Sequence, residues 1–573
     1  MRSCLPVLLA ILSMLPDPQA AQAASRPAPI GTGGAVASAD PLATEAGLEM
    51  LRAGGNAVDA AVATALALAV VYPEAGNLGG GGFAVMKIGD DLASLDFREV
   101  APAAARHDMY LDEKGEPVKD ASLIGPLAAG VPGSPAGLHE LHRRYGKLPW
   151  AKVVAPAVRL ARAGLRVDPH LRTVIEEKRA LLSRFPEASR VWLPKGELPA
   201  VGTVIPLPEL AATMERYAAQ GPEAVTAGPV AAAVEAAARK NGGVLTAADL
   251  AAYRPVWRDP LVFEAFGWKF ASMPLPSSGG IILGQTLQAL ERLEWGKLPR
   301  FGADRWHLLT ETWRRSFADR YLMGDPATTK ATAAQLLDPA WIEARARSID
   351  RQRATPSADI HPWPGKAAAL PAAAESAETT HLSVVDGAGN LVALTTTLNG
   401  LFGSGVYVQE AGFFLNNEMD DFTTAPGRPN NFGLIQGEAN AVAPGKRMLS
   451  AMTPTIAWKG NEAIAVGGRG GSRIPTQTTQ VLLNLLVDND PLQAALDRPR
   501  LHHQWLPDRL DVEPDALAPE TWAELERRGH KIEIKEGPVS AKVYAVRRRA
   551  DGRVEAAADS RSTGDGGIVN PER

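Results

Sequence analysis

The chain has 573 residues, 46% of them hydrophobic, and a net charge of −4 at pH 7. That length implies more than one structural unit or one large sandwich, and that hydrophobicity argues against general disorder. No basic run is interleaved with aromatics, which argues against nucleic-acid binding.

The first segment reads as an export signal. Arg2 precedes the apolar run CLPVLLAILSML, and PDPQAAQA ends in small residues. Ala21-Gln22-Ala23 fits an A-x-A cleavage site, so residues 1–23 are expected to be removed and the mature chain to begin at Ala24. The expected location is the periplasm or the exterior. A membrane anchor is the competing reading, but the run is short for a bilayer span. No later stretch is long and apolar enough to span. Cys4, the only cysteine, lies inside this segment. The mature chain then lacks thiols, which excludes disulfides, cysteine nucleophiles and thiolate metal sites. Stability must come from the size of the core.

ADPLATEAGLEMLRAGG predicts a helix with Asp40 as N-cap, Pro41 in the first turn and Gly54 at its end. Asn56 is placed to cap NAVDAAVATALALAVV, which is apolar on nearly all sides and should be buried. GNLGGGG leads into GFAVMKIGDDLASLDFREV, two strands around a Gly-Asp-Asp turn. Ser134-Pro135 opens a helix with Leu138, Leu141 and Tyr145 on one face and Gly146 as its stop. From there to about Asp350 the pattern is mainly helical, broken by Pro- and Gly-rich loops. RQRATPSADIHPWPGKAAALPAAAESAE has no periodicity and reads as a linker that ends at Glu378. Beyond it, THLSVVD and LVALTTTL alternate as strands. GFFLNNEM, TPTIAW and EAIAVGG are further short β candidates, and QTTQVLLNLLVD and PETWAELERRG are helical. There is no internal repeat. Strands between helical blocks in both halves predict a layered body of helices and sheets.

The stretch ETTHLSVVDGAGNLVALTTTLN, from Glu378, predicts a β-hairpin with its apex at Ala388. Symmetric pairing sets Val385 opposite Leu391 and Thr379 opposite Thr397. Thr379 and His381 then share a face with Thr395, Thr397 and Asn399. One reading is ordinary β-propensity, since threonines favour strands. The other makes Thr379 a nucleophile whose own α-amine is the base. An alkyl hydroxyl is a poor nucleophile at neutral pH, and an α-amine titrates near 8, close enough to take its proton. That chemistry requires the Glu378–Thr379 bond to be cut, and it explains a loose tether running into a strand.

Further along, AIAVGGRGGSRIPTQTTQVLLNLL reads as strand, glycine turn and helix, a place where backbone amides point at anions. There is no G-K-[ST], so a nucleotide loop is discounted. GNLGGGG lacks dinucleotide spacing, and its plainer role is close backbone packing. His502-His503 would point oppositely from a strand with no carboxylate cluster beside them, which makes them structural rather than metal ligands.

The stretches PEAGNLGGGGF, DFREVAP, DMYLD, TTHLSVVD, TTTLN, LNNEMDDF, ANAVAPGKRMLS, MTPTI, GGSRI and RLHHQWLPD resemble the γ-glutamyltranspeptidase (γ-glutamyltransferase) family. The resemblance runs along nearly the whole mature chain. It implies an α+β, N-terminal-nucleophile hydrolase fold: a four-layer αββα sandwich formed jointly by two subunits cut from one precursor, residues 24–378 and 379–573. It implies transfer of the γ-glutamyl group of glutathione, or of a related amide, to water, an amino acid or a dipeptide. No metal or organic cofactor is implied. By that resemblance Thr379 attacks first its own preceding peptide and later the γ-glutamyl carbonyl, with Thr397 in support. Arg98 holds the substrate α-carboxylate, a match for a guanidinium fork, and Ser450 adds a hydrogen bond to it. Asp421, Glu418 and Asn399 hold the α-ammonium. Gly470 and Gly471 supply oxyanion-hole amides.

Three positions depart from the family pattern. Ala451 stands where a second serine is common, Arg469 where a proline is common before the paired glycines, and Phe432 where the lid-like loop commonly has a tyrosine. Arg469 is expected near the carboxylate subsite, in place of the lost hydroxyl. Two rivals share the fold: an acylase for glutaryl-type side chains of β-lactams, and a poly-γ-glutamate hydrolase. Asp421 argues against the first, because a glutaryl group has no amine. The lid-like loop argues against the second. A non-enzymatic periplasmic binding protein would leave the linker-to-threonine junction unexplained.

Overall fold

The computed structural model describes residues 26–240, 242–329, 331–362, 379–424, 437–535 and 541–570. The export signal, the end of the linker with Glu378, and Phe432 lie outside the described residues.

Two seven-stranded antiparallel sheets form the centre. The first runs, edge to edge, Asp565–Val569, Gly34–Ser38, Thr380–Asp386, Leu391–Thr397, Gly81–Ile88, Asp91–Phe97 and Val256–Arg258. The second runs Ile30–Gly31, Val554–Ala558, Lys542–Arg548, Glu462–Arg469, Thr455–Lys459, Trp268–Ser272 and Leu261–Ala265. Residues on both sides of Thr379 supply strands to both sheets, so neither segment completes a sheet alone.

The second sheet shows why the sheets stack. Ile456, Ala465, Tyr544 and Val546 belong to the core shared with the first sheet. Their neighbours Ala457, Ile464, Val466, Val543 and Ala545 belong to the core under the outer helices. This alternation buries both faces. Helices Pro41–Arg52 and Ala57–Val71 cover the first sheet; Gly279–Arg292 and Arg473–Leu486 cover the second. The layering is αββα, as the family resemblance implies.

The local signals behave as the chain chemistry requires. Asp40 accepts from the amides of Leu42 and Ala43, and Asn56 and Asp59 form a reciprocal capping box. All fifteen residues of Ala57–Val71 are buried, with Leu66 and Leu68 fully so. Each such leucine contributes about 1.5–3 kcal/mol by burial.

Two expectations need refinement. The stretch to Asp350 is mainly helical, as expected, but it also carries strands. Leu261–Ala265 and Trp268–Ser272 form a hairpin at the sheet edge, turning at Phe266 and Gly267, both at positive φ. The linker is also not loose from its start. Ala354 N–H donates to Arg528 O, Thr355 bonds Glu311, and Ser357 N–H donates to Asp508.

Candidate active site

The hairpin that carries Thr379 is pinned at its turn. Asp386 accepts from Ala388 N, Asn390 N and Asn390 Nδ2, and its other contact, from Ala57 N at 3.0 Å, ties the turn to the buried helix. Pairing runs Val385↔Leu391 through Thr380↔Thr396, so the register continues to Thr379 opposite Thr397. A one-residue slip would reverse every face. His381 is held neutral between the sheets. Its Nδ1 meets Thr395 Oγ1 at 2.8 Å, its Nε2 meets Ser383 Oγ at 3.0 Å, and burial pushes its pKa down to about 3.

At the open end, Thr379 Oγ1 donates to Thr397 Oγ1 at 3.4 Å, and Asn399 N–H donates to the same Thr397 oxygen at 2.7 Å. Asn399 sits at φ 71, a conformation uncommon for a side-chain-bearing residue. Its Nδ2 donates to Asn417 O at 2.9 Å. The glycine run buttresses this end from behind. A Cβ on Gly80 would lie 2.0 Å from Thr397 O, so only glycine lets the backbones pass. Asn77 fastens the contact, donating to Thr397 O at 2.8 Å and accepting from Gly80 N at 3.0 Å.

Thr379, Thr397 and Asn399 line a pocket of about 310 Å³ with Arg98, Glu418, Asp421 and Ser450. Arg320, Ala451, Met452, Gly471, Ser472 and Ile474 complete its wall. Arg98 follows the strand Asp91–Phe97 and is 1% exposed. Its guanidinium forks to Glu418 and Asp421, both on the turn Glu418–Asp421, and Glu99 lies 3.8 Å away. Burial works against that charge, yet Glu418, Asp421 and Glu99 hold the Arg98 pKa above its ordinary value. Burial raises the carboxyls against the pull of Arg98: Glu99 to about 7, Glu418 well above its usual range, and Asp421 upward.

Gly470 and Gly471 follow the strand Glu462–Arg469, with φ 131 and 55. They lead into Arg473–Leu486, so the helix N-terminus and Gly471 face the pocket. That geometry suits developing negative charge. Every substrate or catalytic residue expected from the sequence therefore lines one pocket, except Gly470, which adjoins it in the turn.

The γ-glutamyltranspeptidase family model matches residues 43–569. The chain belongs to the γ-glutamyltranspeptidase family. It is 42% identical over 536 residues to a glutathione hydrolase proenzyme of Escherichia coli (strain K12), covering 93% of this chain and 91% of that protein. It is 41% identical over 574 residues to the glutathione hydrolase proenzyme of Pseudomonas aeruginosa, covering 99% and 100%. Among solved structures, a cephalosporin acylase from Bacillus halodurans superposes with a TM-score of 0.82 at 27% identity, covering 98% and 100%. The fold is thus that of the N-terminal-nucleophile hydrolases, and the protein is an enzyme.

Against the γ-glutamyltranspeptidase pattern, Arg469 departs from expectation. Its guanidinium lies over the Tyr72 ring, 5.4 Å from the centroid, and it is not among the pocket-lining residues. Tyr72 in turn stacks on His170. Arg469 follows Gly467 by two positions on one face of its strand, which carries it toward Tyr72. Ala451, where a second serine is common, does line the pocket. His502 and His503 are engaged in hydrogen bonds with Thr476, Gln504 and the Trp505 amide.

Sequence reasoning missed three residues. Arg320 ends an arginine-rich helix and gave no local sign of a site. Asn77 was within reach, inside the glycine-rich motif. Gly467 backs His381: a Cβ there would lie 2.4 Å from His381 Cε1.

Proposed function

We propose that this chain is a self-processing γ-glutamyltransferase and glutathione hydrolase. One observation carries the reading: a pocket in which the Thr379 hydroxyl faces a guanidinium, Arg98, flanked by the carboxyls of Glu418 and Asp421. An amino-acid head group carries a carboxylate and an ammonium on one carbon. Such a set holds both, the carboxylate on Arg98 and Ser450, the ammonium on Asp421, Glu418 and Asn399. A glutaryl group has no ammonium and would leave buried carboxyls unmatched. The acylase fold is shared, but these carboxyls favour the γ-glutamyl reading.

In the uncut chain the Thr379 nitrogen is an amide and no base. Maturation begins when Thr379 Oγ1 attacks the carbonyl carbon of Glu378. The C–N bond breaks, the acyl group passes to oxygen, and the nitrogen becomes an amine. Water hydrolyses the ester, leaving Glu378 as a carboxylate and Thr379 as a free chain start. In turnover, the α-amine takes the Oγ1 proton as oxygen attacks the γ-carbonyl. The amides of Gly470 and Gly471 receive the oxyanion. The departing amine takes the proton from the α-ammonium, leaving a γ-glutamyl ester on Thr379. Water, an amino acid or a dipeptide then attacks that ester, giving its proton to the α-amine, which returns it to Oγ1.

On this reading residues 24–378 and 379–573 stay together as two subunits, since each sheet needs strands from both. The signal-like residues 1–23 support a periplasmic or secreted location. Among the described residues no helix is long and apolar enough to cross a membrane.

The test is incubation of purified protein with glutathione, alone and with glycylglycine. Glutamate release in the first case, and a γ-glutamyl-dipeptide by mass in the second, are the expected products. Cleavage of a glutaryl amide with no turnover of glutathione would overturn the reading in favour of an acylase.

A further inference from the structure

Arg320 is the last residue of helix Ala303–Arg320 and lines the Thr379 pocket. The same helix carries Arg305, Arg314 and Arg315, all buried, and each meets carboxylates away from the pocket: Asp488, Glu311 with Asp508, and Glu311. Arg320 Nε donates to Ser278 Oγ at 3.0 Å. Ser278 passes the contact on. Its Oγ and its N–H donate to Ser450 O at 2.7 and 2.8 Å. Ser450 N–H closes the link, donating to Pro276 O at 2.8 Å. A buried guanidinium therefore fixes the segment that carries Ser450.

Charge gives it a second task. Among the described residues, the charged groups facing Asp421 are Arg98 and Glu99 from the strand end, Glu418 from its own turn, and Arg320 from the helix; Asp420 bonds Ser122. Among the described residues, three carboxyls thus meet two guanidiniums. Arg98 forks between Glu418 and Asp421, and a substrate α-carboxylate must draw it away from at least one. Asp421 is then a buried acid that has lost part of its main counter-charge, and such an acid favours the protonated form. A protonated Asp421 is a poor acceptor for an ammonium. Burial lowers the Arg320 pKa to about 10, so it remains a cation at neutral pH.

We propose that Arg320 is a specificity-determining residue of this pocket: it keeps Asp421 ionised for the substrate α-ammonium once Arg98 is engaged, while clamping Ser278 and Ser450 for the α-carboxylate. This rests on the γ-glutamyl reading, and failure of that reading shows separately, as a wild-type enzyme that does not turn over a γ-glutamyl anilide.

The test uses Arg320→Gln, which can still bond Ser278 but has no charge, and Arg320→Lys, which keeps the charge. Mass spectrometry first establishes that each variant matures. Inhibition constants are then measured for L-glutamate and for glutarate, which lacks the ammonium, and kcat/KM for a γ-glutamyl anilide is followed against pH. Arg320→Gln is expected to weaken L-glutamate about tenfold and glutarate less than about threefold. It should also shift the acid limb of kcat/KM upward by about one pH unit. Arg320→Lys should restore the limb and keep the wild-type ratio of the two constants. Equal weakening of both ligands by Arg320→Gln, or an unmoved limb, would reduce Arg320 to a structural part and overturn the proposal. If Arg320→Gln does not mature, a collapsed ratio in Arg320→Lys overturns it and a preserved ratio with a wild-type limb supports it.

Discussion

Thr379 and Thr397 face each other across the open end of one hairpin, hydroxyl to hydroxyl at 3.4 Å, and the Asn399 amide donates to the Thr397 oxygen at 2.7 Å. On the γ-glutamyl reading, the chain Asn399–Thr397–Thr379 orients the nucleophile without adding a charged base. Replacing Thr397 with valine removes that orientation while filling the same volume. A hydrogen bond of this kind is worth about 1–3 kcal/mol when its partner is left unmatched. Thr397→Val should therefore lower kcat about tenfold to hundredfold and slow maturation. Thr397→Ser should stay near wild type. Single-turnover kinetics on the matured protein check this; an unchanged rate for the valine variant would contradict it.

On the proposed reading, Asp421 separates an amino-acid head group from a plain acyl chain. Asp421→Asn keeps the shape and removes the charge. The expected result is a rise in KM for a γ-glutamyl amide, with kcat/KM falling about tenfold to hundredfold and kcat changing less. Relative activity toward a glutaryl amide should rise. Equal losses on both substrates would place Asp421 outside ammonium recognition.

Glu99 gives a signature in stability. Burial raises its pKa from 4.5 to about 7. For a carboxyl raised on folding, the ionised form is the disfavoured one. The penalty is absent below about pH 4.5, grows between about 4.5 and 7, and is complete above about 7. Glu99→Gln should thus raise the melting temperature at pH 8 and change it little at pH 4. The same gain at both values would show that the charge is not the cause.

The sheet-to-sheet contact at His381 leaves no room for one more carbon. A Cβ on Gly467 would stand 2.4 Å from His381 Cε1, with the rest of the ring behind it. Gly467→Ala should destabilise the protein by about 1–3 kcal/mol, the usual scale for overpacking. Because His381 lies two residues from Thr379, maturation should also slow. Thermal unfolding and the time course of cleavage read the two effects. Wild-type values in both would mean that the sheets separate freely, against their packing.

Much of this was legible in the sequence because it is written locally. Asp40 and Asn56 cap their helices through contacts with residues two and three positions on, and Asp386 pins its turn the same way. A symmetric turn fixes the register that sets Thr379 against Thr397. The acid and guanidinium side of the pocket is different. Arg98 and Asp421 are 323 positions apart, and only the family resemblance joined them before the fold did. Arg320 stayed hidden because an arginine on an arginine-rich helix reads as a surface charge. Leu261–Ser272 was absorbed into a helical region although aromatic and apolar residues alternate around its Phe-Gly turn. The linker misled in its first part because composition does not register the carboxylates of Glu311 and Asp508 that hold it.

Intact mass and N-terminal sequencing of the purified wild type, beside Thr379→Ala, decide whether the chain cuts itself at Thr379 to make its nucleophile. The expected result is two wild-type fragments, the smaller beginning at Thr379, together with an uncut variant that has no γ-glutamyl turnover. A wild-type protein that turns over γ-glutamyl substrate as one uncut chain, or a Thr379→Ala protein that is still cut at that bond, would contradict it.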